Sequence, residues 1–308
     1  MGTAQSAGFC LLLAHMCWLC EAKSALSLQH GDPLSVPPPR WSARRGFLLA
    51  GAAASAGLGS SAVLAQVDVG KSSAIRTLVP AEELEGAARQ QYGQMLAEAR
   101  SKGALAPDNH PQLQALRAIA RRLIPHAAPW NSRSRGWQWE VNLIGSAQLN
   151  AFCMPGGKIA FFTGILDKLK LGDDEAAMIM GHEMAHALRE HARERLAKTQ
   201  ATSLGLTLGA RLLGLGQIGE VAADLGTQLL SLKYSRDDET EADLVGLELA
   251  ARGAFNPQAS VSLWRKMLAA NGSGGPAFLS THPSGPNRIQ ELQQNIPKVQ
   301  ALYERARG

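Results

Sequence analysis

Cysteine is nearly absent from most of this 308-residue chain: Cys10, Cys17 and Cys20 fall within the first 20 positions, and only Cys153 lies beyond them. Once residues 1–65 are set aside an intramolecular disulfide is excluded, and Cys153 reads as a small buried apolar residue. An excess of one charge is missing as well. The 31 basic and 26 acidic residues leave +5, and no Lys/Arg cluster interleaved with aromatics supplies a nucleic-acid footprint. A long uninterrupted apolar run is also lacking beyond residue 65. The best candidate, 201–232, is broken by Arg211, Glu220 and Asp224, which argues against a membrane span and leaves at most peripheral membrane contact.

The first 65 residues read as an export leader. Arg44-Arg45 precedes Phe47-Leu48-Leu49 and an Ala/Gly stretch to Gly59, and small or aliphatic residues end in Val63-Leu64-Ala65. The pattern resembles a twin-arginine signal, with ordinary secretory export as the alternative. Residues 1–40 fit no signal region: Pro33 and the prolines at 37–39 separate the apolar 9–20 patch from the arginine pair. No methionine lies between Met16 and Met95, and one reading is that translation starts later, at a non-Met codon. The leader sets the expectation of a periplasmic location, with membrane association second.

What is present is more specific. His182-Glu183-Met184-Ala185-His186 is an HExxH pentapeptide. At the helical period both histidines share one face about one turn apart, so they can bind one metal while Glu183 activates its water. The acidic 173–175 start, the largely apolar 176–188 run and basic Arg189, Arg193, Arg195 and Lys198 place the motif within a helix. A catalytic zinc takes three protein ligands and leaves one position open. Downstream, 235–243 (SRDDETEAD) opens a second helical pattern in which Glu239 and Asp243 share a face at i,i+4. Glu239 can then bind metal while Asp243 orients a ligand histidine through its other ring nitrogen. An acidic first helical turn is the plain alternative for this segment.

With NAFCMPGG upstream (150–157) and STHPSGPNRI downstream (280–289), these motifs resemble the zinc endopeptidases typified by the CAAX prenyl protease type I, in particular their soluble periplasmic bacterial branch. The similarity covers roughly residues 115–295. It implies one Zn2+ per chain held by His182, His186 and Glu239, with Glu183 as base and Asp243 supporting a ligand. The resemblance places His282 near the cleft. There its imidazole either donates to a tetrahedral oxyanion or occupies the open zinc position at rest, and a His-Pro turn is the plain reading. Gly272 to Gly275 could hinge that loop. Arg288 could support oxyanion or substrate binding, although an exposed helical arginine is the simpler account. His191 falls about 180° from His182 on a continued helix and reads as a surface residue.

The implied fold is α+β: a mostly helical gluzincin-type metalloprotease with a small sheet beside the active-site helix. Residues 66–308 form the metalloprotease domain, with 81–128 an N-terminal helical portion. Helices are predicted over 81–102 and over 111–125, where Leu113, Leu116, Ile119, Ala120 and Leu123 make one stripe. Strands are predicted at 139–144, 149–153 and 158–162, with Pro155-Gly156-Gly157 as a turn. The resemblance sets the middle strands along the substrate cleft, where an edge could pair with an extended peptide. The 201–232 window reads as a helical hairpin. Function follows as zinc-dependent endopeptidase action on exported or envelope proteins, with unfolded or misassembled proteins as substrates. A chaperone-like binding protein with a closed zinc site is the alternative. A structural site with His282 as fourth ligand is a third reading. Oligomeric state is not encoded legibly.

Overall fold

The computed structural model describes residues 67–212, 229, 232–270, 277–283, 285 and 287–308. All belong to one unit of the chain, Ser61–Gly308. In order come α1 (Ala81–Ser101), α2 (Pro111–Leu123), β1 (Glu140–Ile144), β2 (Ala151–Met154), β3 (Lys158–Phe162) and the short α3 (Thr163–Lys168). They are followed by α4 (Asp173–Leu188), α5 (His191–Leu212), α6 (Arg236–Arg252), α7 (Ala259–Ala269), the short α8 (Ala277–Thr281) and α9 (Arg288–Arg307). Helix dominates and one small sheet lies beside α4, as the α+β reading expects. The leader at 1–65 and the Gly272–Gly275 hinge lie outside the described residues, as does most of the expected hairpin beyond Leu212.

Burial explains the layering. The stripe on α2 is wholly buried, and so is every residue of α4 from Glu175 to Leu188. A helix buried on all sides must be wrapped: α6, α7, α2 and β2 pack around α4. The sheet order is β1-β3-β2, with β1 parallel and β2 antiparallel to β3. Central β3 is apolar on both faces, as its position between two strands and beneath helices demands. The β2–β3 turn takes Gly156 at φ 82° and Gly157 at φ 79°. At Gly157 a Cβ would also stand 2.7 Å from the Trp139 ring, so this turn needs glycine twice over. A second apolar cluster joins Leu84, Ala88 and Tyr92 of α1 to Ala160 of β3 and Ala192 of α5. It ties the N-terminal helix to the sheet, and the Tyr92 hydroxyl donates to the Ile159 carbonyl at 2.5 Å.

Two helix boundaries differ from the predicted ones. The helix predicted to run from 111 to 125 gives way at Ile124 to a 3-10 turn, Ile124–His126, because Pro125 cannot continue the α-helical ladder. The active helix stops at Leu188: Glu190 adopts φ 60°, a left-handed turn, and α5 leaves in a new direction from His191. Among the described residues no helix is long and apolar enough to cross a membrane.

Candidate active site

Two helices cross at glycines and bring the site together. A Cβ on Gly246 of α6 would stand 2.6 Å from the His182 backbone nitrogen, and one on Gly181 of α4 would stand 2.7 Å from the Gly246 carbonyl oxygen. This close approach sets the middle of α6 against the middle of α4, with the first turn of α6 beside the histidine pair. That first turn is a capping box. The Ser235 hydroxyl accepts from the Asp238 backbone N–H at 3.2 Å, and the Asp238 carboxylate accepts from the Ser235 N–H at 2.8 Å. It starts the helix at the register that turns Glu239 and Asp243 toward α4. The α8 segment adds His282, whose backbone N–H donates to the Phe278 carbonyl and whose ring stacks on Phe278 at 4.3 Å between centroids.

His182, His186, Glu239 and His282 converge so that one ligand atom from each lies within 4.8 Å of the others, and all four are buried. His182 Nε2 is 3.1 Å from His186 Nε2 and 3.3 Å from His282 Nδ1. Glu239 Oε1 lies 3.0 Å from His282 Nδ1 and 3.4 Å from His186 Nε2. Asp243 Oδ1 accepts from His182 Nδ1 at 3.0 Å. Arg288 spans both carboxylates, with Nη1 donating to Glu239 at 2.8 Å and Nη2 to Asp243 at 2.7 Å. Its guanidinium lies over the Trp264 ring at 3.5 Å.

Electrostatics follow from burial and neighbours. Burial opposes the charge on Glu239, but hydrogen bonds to His186 and His282 and nearby positive charge outweigh it and hold the carboxyl ionised, well below the usual range. Burial pushes Glu183 up, with His282 and His182 pulling the other way. Burial also keeps His186 neutral. For His282 burial favours the neutral ring, yet Glu183 and Glu239 prevail and raise its pKa. Glu183 Oε1 has no hydrogen-bond partner and lies 3.5 Å from His282 Nε2.

This donor set fits a zinc ion. Because the Asp243 carboxylate accepts the His182 Nδ1 proton, His182 Nε2 keeps its lone pair and aims it into the cluster. Imidazole nitrogens packed at 3.1–3.3 Å beside a carboxylate make a cation-seeking nest of nitrogen and oxygen ligands. Outside it, a cavity of about 240 Å³ runs along β2, with Glu183 and His282 at its base. Asn150, Ala151 and Phe152 form one wall, and Met95 and Phe162 add apolar surface.

The structure thus brings His182, Glu183, His186, Glu239, Asp243 and His282 into one constellation. Two expectations need correction. His191 is 2% exposed and not a surface residue, because the turn at Glu190 ends the helix that the 180° reading assumed. Its Nδ1 lies 2.9 Å from His186 Nδ1. Arg288 is 4% exposed and sits within the site. Tyr234, whose ring stacks on His186 at 3.9 Å, belongs to no motif legible in the sequence. It lies only two residues before the acidic helix starts, and that proximity was the available signal. Cys153 is buried and unpaired as expected, and burial pushes its thiol well up.

Residues 112–296 match the model of Peptidase family M48. The mitochondrial metalloendopeptidase OMA1 of Schizosaccharomyces pombe is 36% identical over 70% of this chain and 62% of its own length. The human metalloendopeptidase OMA1, mitochondrial, is 30% identical over 54% of this chain and 34% of its own. The β-barrel assembly-enhancing protease of Escherichia coli is 27% identical over 63% and 41%. The chain therefore spans about six tenths or less of the length of the curated relatives it matches. The relatives at 30–36% identity are named as mitochondrial enzymes, which overturns the periplasmic expectation drawn from the twin-arginine-like leader. The chain belongs to peptidase family M48, whose members use zinc, and the His/Glu cluster is the place for it.

Proposed function

We propose that this M48 peptidase is a zinc-dependent endopeptidase that cleaves unfolded or misassembled proteins in protein quality control, with His182, His186 and Glu239 as metal ligands and Glu183 as general base. The observation that carries this reading is the buried Glu183 carboxylate. It has an oxygen free of hydrogen bonds, adjoins the ligand cluster and faces the cleft. When bound, zinc would polarise the scissile carbonyl and bring the pKa of its water toward about 7.

The chain's own residues do the rest. An extended substrate pairs its backbone with the cleft-facing edge of β2, which among the described residues pairs only with β3. Such pairing asks little of side-chain identity and suits unfolded chains. Glu183 takes the proton of the attacking water at Oε1 and returns it to the leaving amine nitrogen. Burial raises its proton affinity, which suits a group that must hold that proton between the two steps. Asp243 fixes the ring of His182 through Nδ1, and Arg288 holds both Glu239 and Asp243 in place.

A second reading concerns the resting enzyme. His282 supplies a fourth candidate ligand, and a site with four protein ligands is closed to water. His282 is accordingly assigned as a resting-state plug that must leave before cleavage. Held shut, the same arrangement would give a binding protein with a mostly silent centre.

The test is Glu183→Gln. The purified variant should retain about one zinc per chain and lose at least ~10²-fold in the rate of casein cleavage. Wild-type turnover by the zinc-loaded variant would rule out Glu183 as the base.

A further inference from the structure

The outer nitrogen of His182 meets a carboxylate directly, but that of His186 does not. His186 Nδ1 faces His191 Nδ1 at 2.9 Å, His191 Nε2 lies 3.3 Å from Glu241 Oε2, and the same oxygen accepts from Arg189 Nε at 2.8 Å. An ionised carboxylate only accepts, so the His191 proton sits on Nε2 and points at Glu241. With that proton on Nε2, the Nδ1 of His191 is left to accept. The 2.9 Å contact needs one donor, which must be His186 Nδ1–H, and His186 Nε2 is left with its lone pair facing the cluster. We infer that His191 is a positioning residue for the metal site: it relays the Glu241 carboxylate to His186, fixing the tautomer and ring orientation that zinc ligation requires.

The frame around the relay is rigid. His191 is 2% exposed, Tyr234 stacks on the His186 ring, and Arg189 also donates to the Val69 and Gly70 carbonyls. Glu241 and Asp243 stand two residues apart on α6. One helix therefore orients both histidines of α4, Asp243 by direct contact and Glu241 through one intervening ring. The left-handed turn at Glu190 makes this possible by swinging His191 back over the end of α4. Without that turn the two imidazoles would point apart.

The inference rests on His186 being a zinc ligand, and the test separates the two. Zinc affinity is measured by chelator competition on wild type, His186→Ala, His191→Phe, His191→Asn and Glu241→Ala, with unfolding of each metal-free protein followed alongside. His191→Phe keeps a ring but removes the acceptor, and affinity should fall about 10- to 100-fold, as expected for loss of a ligand's outer partner. His191→Asn places an amide oxygen where Nδ1 stood and should recover affinity to within a few-fold of wild type. Glu241→Ala, at the half-buried end of the relay, should weaken binding by several-fold and keeps the test alive if His191→Phe fails to fold. Wild-type affinity in His191→Phe or in Glu241→Ala overturns the relay, and so does an Asn variant as weak as Phe, which would assign His191 to packing. Undiminished binding in His186→Ala would instead sink the ligand assignment on which the relay depends.

Discussion

Glu239 illustrates how much one carboxylate is asked to do. It is 3% exposed, faces three imidazoles and is held from behind by Arg288, so its charge is compensated whether or not a metal is bound. Asp243, one turn on, touches the cluster only through His182. The two should separate cleanly on mutation: Glu239→Ala largely empties the site, whereas Asp243→Ala retains zinc with affinity lowered about 10- to 100-fold. Metal titration of both variants checks this, and equal losses would show that the two do not divide the work as assigned. His282 poses a question of sign. If its imidazole plugs the site at rest, His282→Ala raises basal cleavage of an unfolded substrate at equal zinc occupancy. If it serves the oxyanion, the same change lowers the rate by roughly 10²- to 10³-fold. The expected outcome is the faster enzyme, because His282 Nδ1 already lies within 3.3 Å of both Glu239 and His182.

At the scale of elements, the controlling feature is the glycine crossing of α4 and α6. Neither Gly181 nor Gly246 can take a methyl group without pushing the helices apart, since the obstructing atoms are backbone. Gly246→Ala gains helix propensity of up to about 1 kcal/mol but must overpack the contact, a strain of about 1–3 kcal/mol that should prevail. Denaturant unfolding should therefore show a less stable protein, and zinc affinity should fall with it as Glu239 moves away from the histidines. The crossing also explains what could be read from sequence. HExxH and Glu239/Asp243 were legible because each pair lies within one turn of its own helix, where spacing alone sets the face. The buried stripe of α2 and the strand at Lys158–Phe162 were legible for the same local reason. His191, Tyr234 and Arg288 were not, because their places depend on a left-handed turn, a chain entry and a helix arriving from far along the sequence. Periodicity carries no signal for any of these.

At the scale of the whole molecule, ion pairs join segments distant in the chain, and one of them bears on the response to acid. Glu175 joins α4 to α7. Burial alone would raise its pKa, but Lys266 Nζ at 2.6 Å, the Ser262 hydroxyl at 2.7 Å and the Gly172 N–H at 3.1 Å lower it instead. A depressed native pKa means that the stabilisation is complete above the ordinary value of 4.5 and is lost as the pH falls through the lower native value. The stability gap between wild type and Glu175→Gln should therefore be widest near neutrality and narrow below that value. Thermal unfolding across pH 3–7 measures it, and a gap that widens in acid would reverse the assignment.

Arg288 lies 106 residues after His182 in the chain, yet it braces Glu239 and Asp243 from behind. On a ribosome, where residues emerge at about 5–20 per second, α4 is therefore exposed for several seconds before its brace arrives. A chain made only as far as α8 holds the histidine pair without the arginine that neutralises and orients the two α6 carboxylates. Assembly of the braced metal site must therefore wait until α9 has been made.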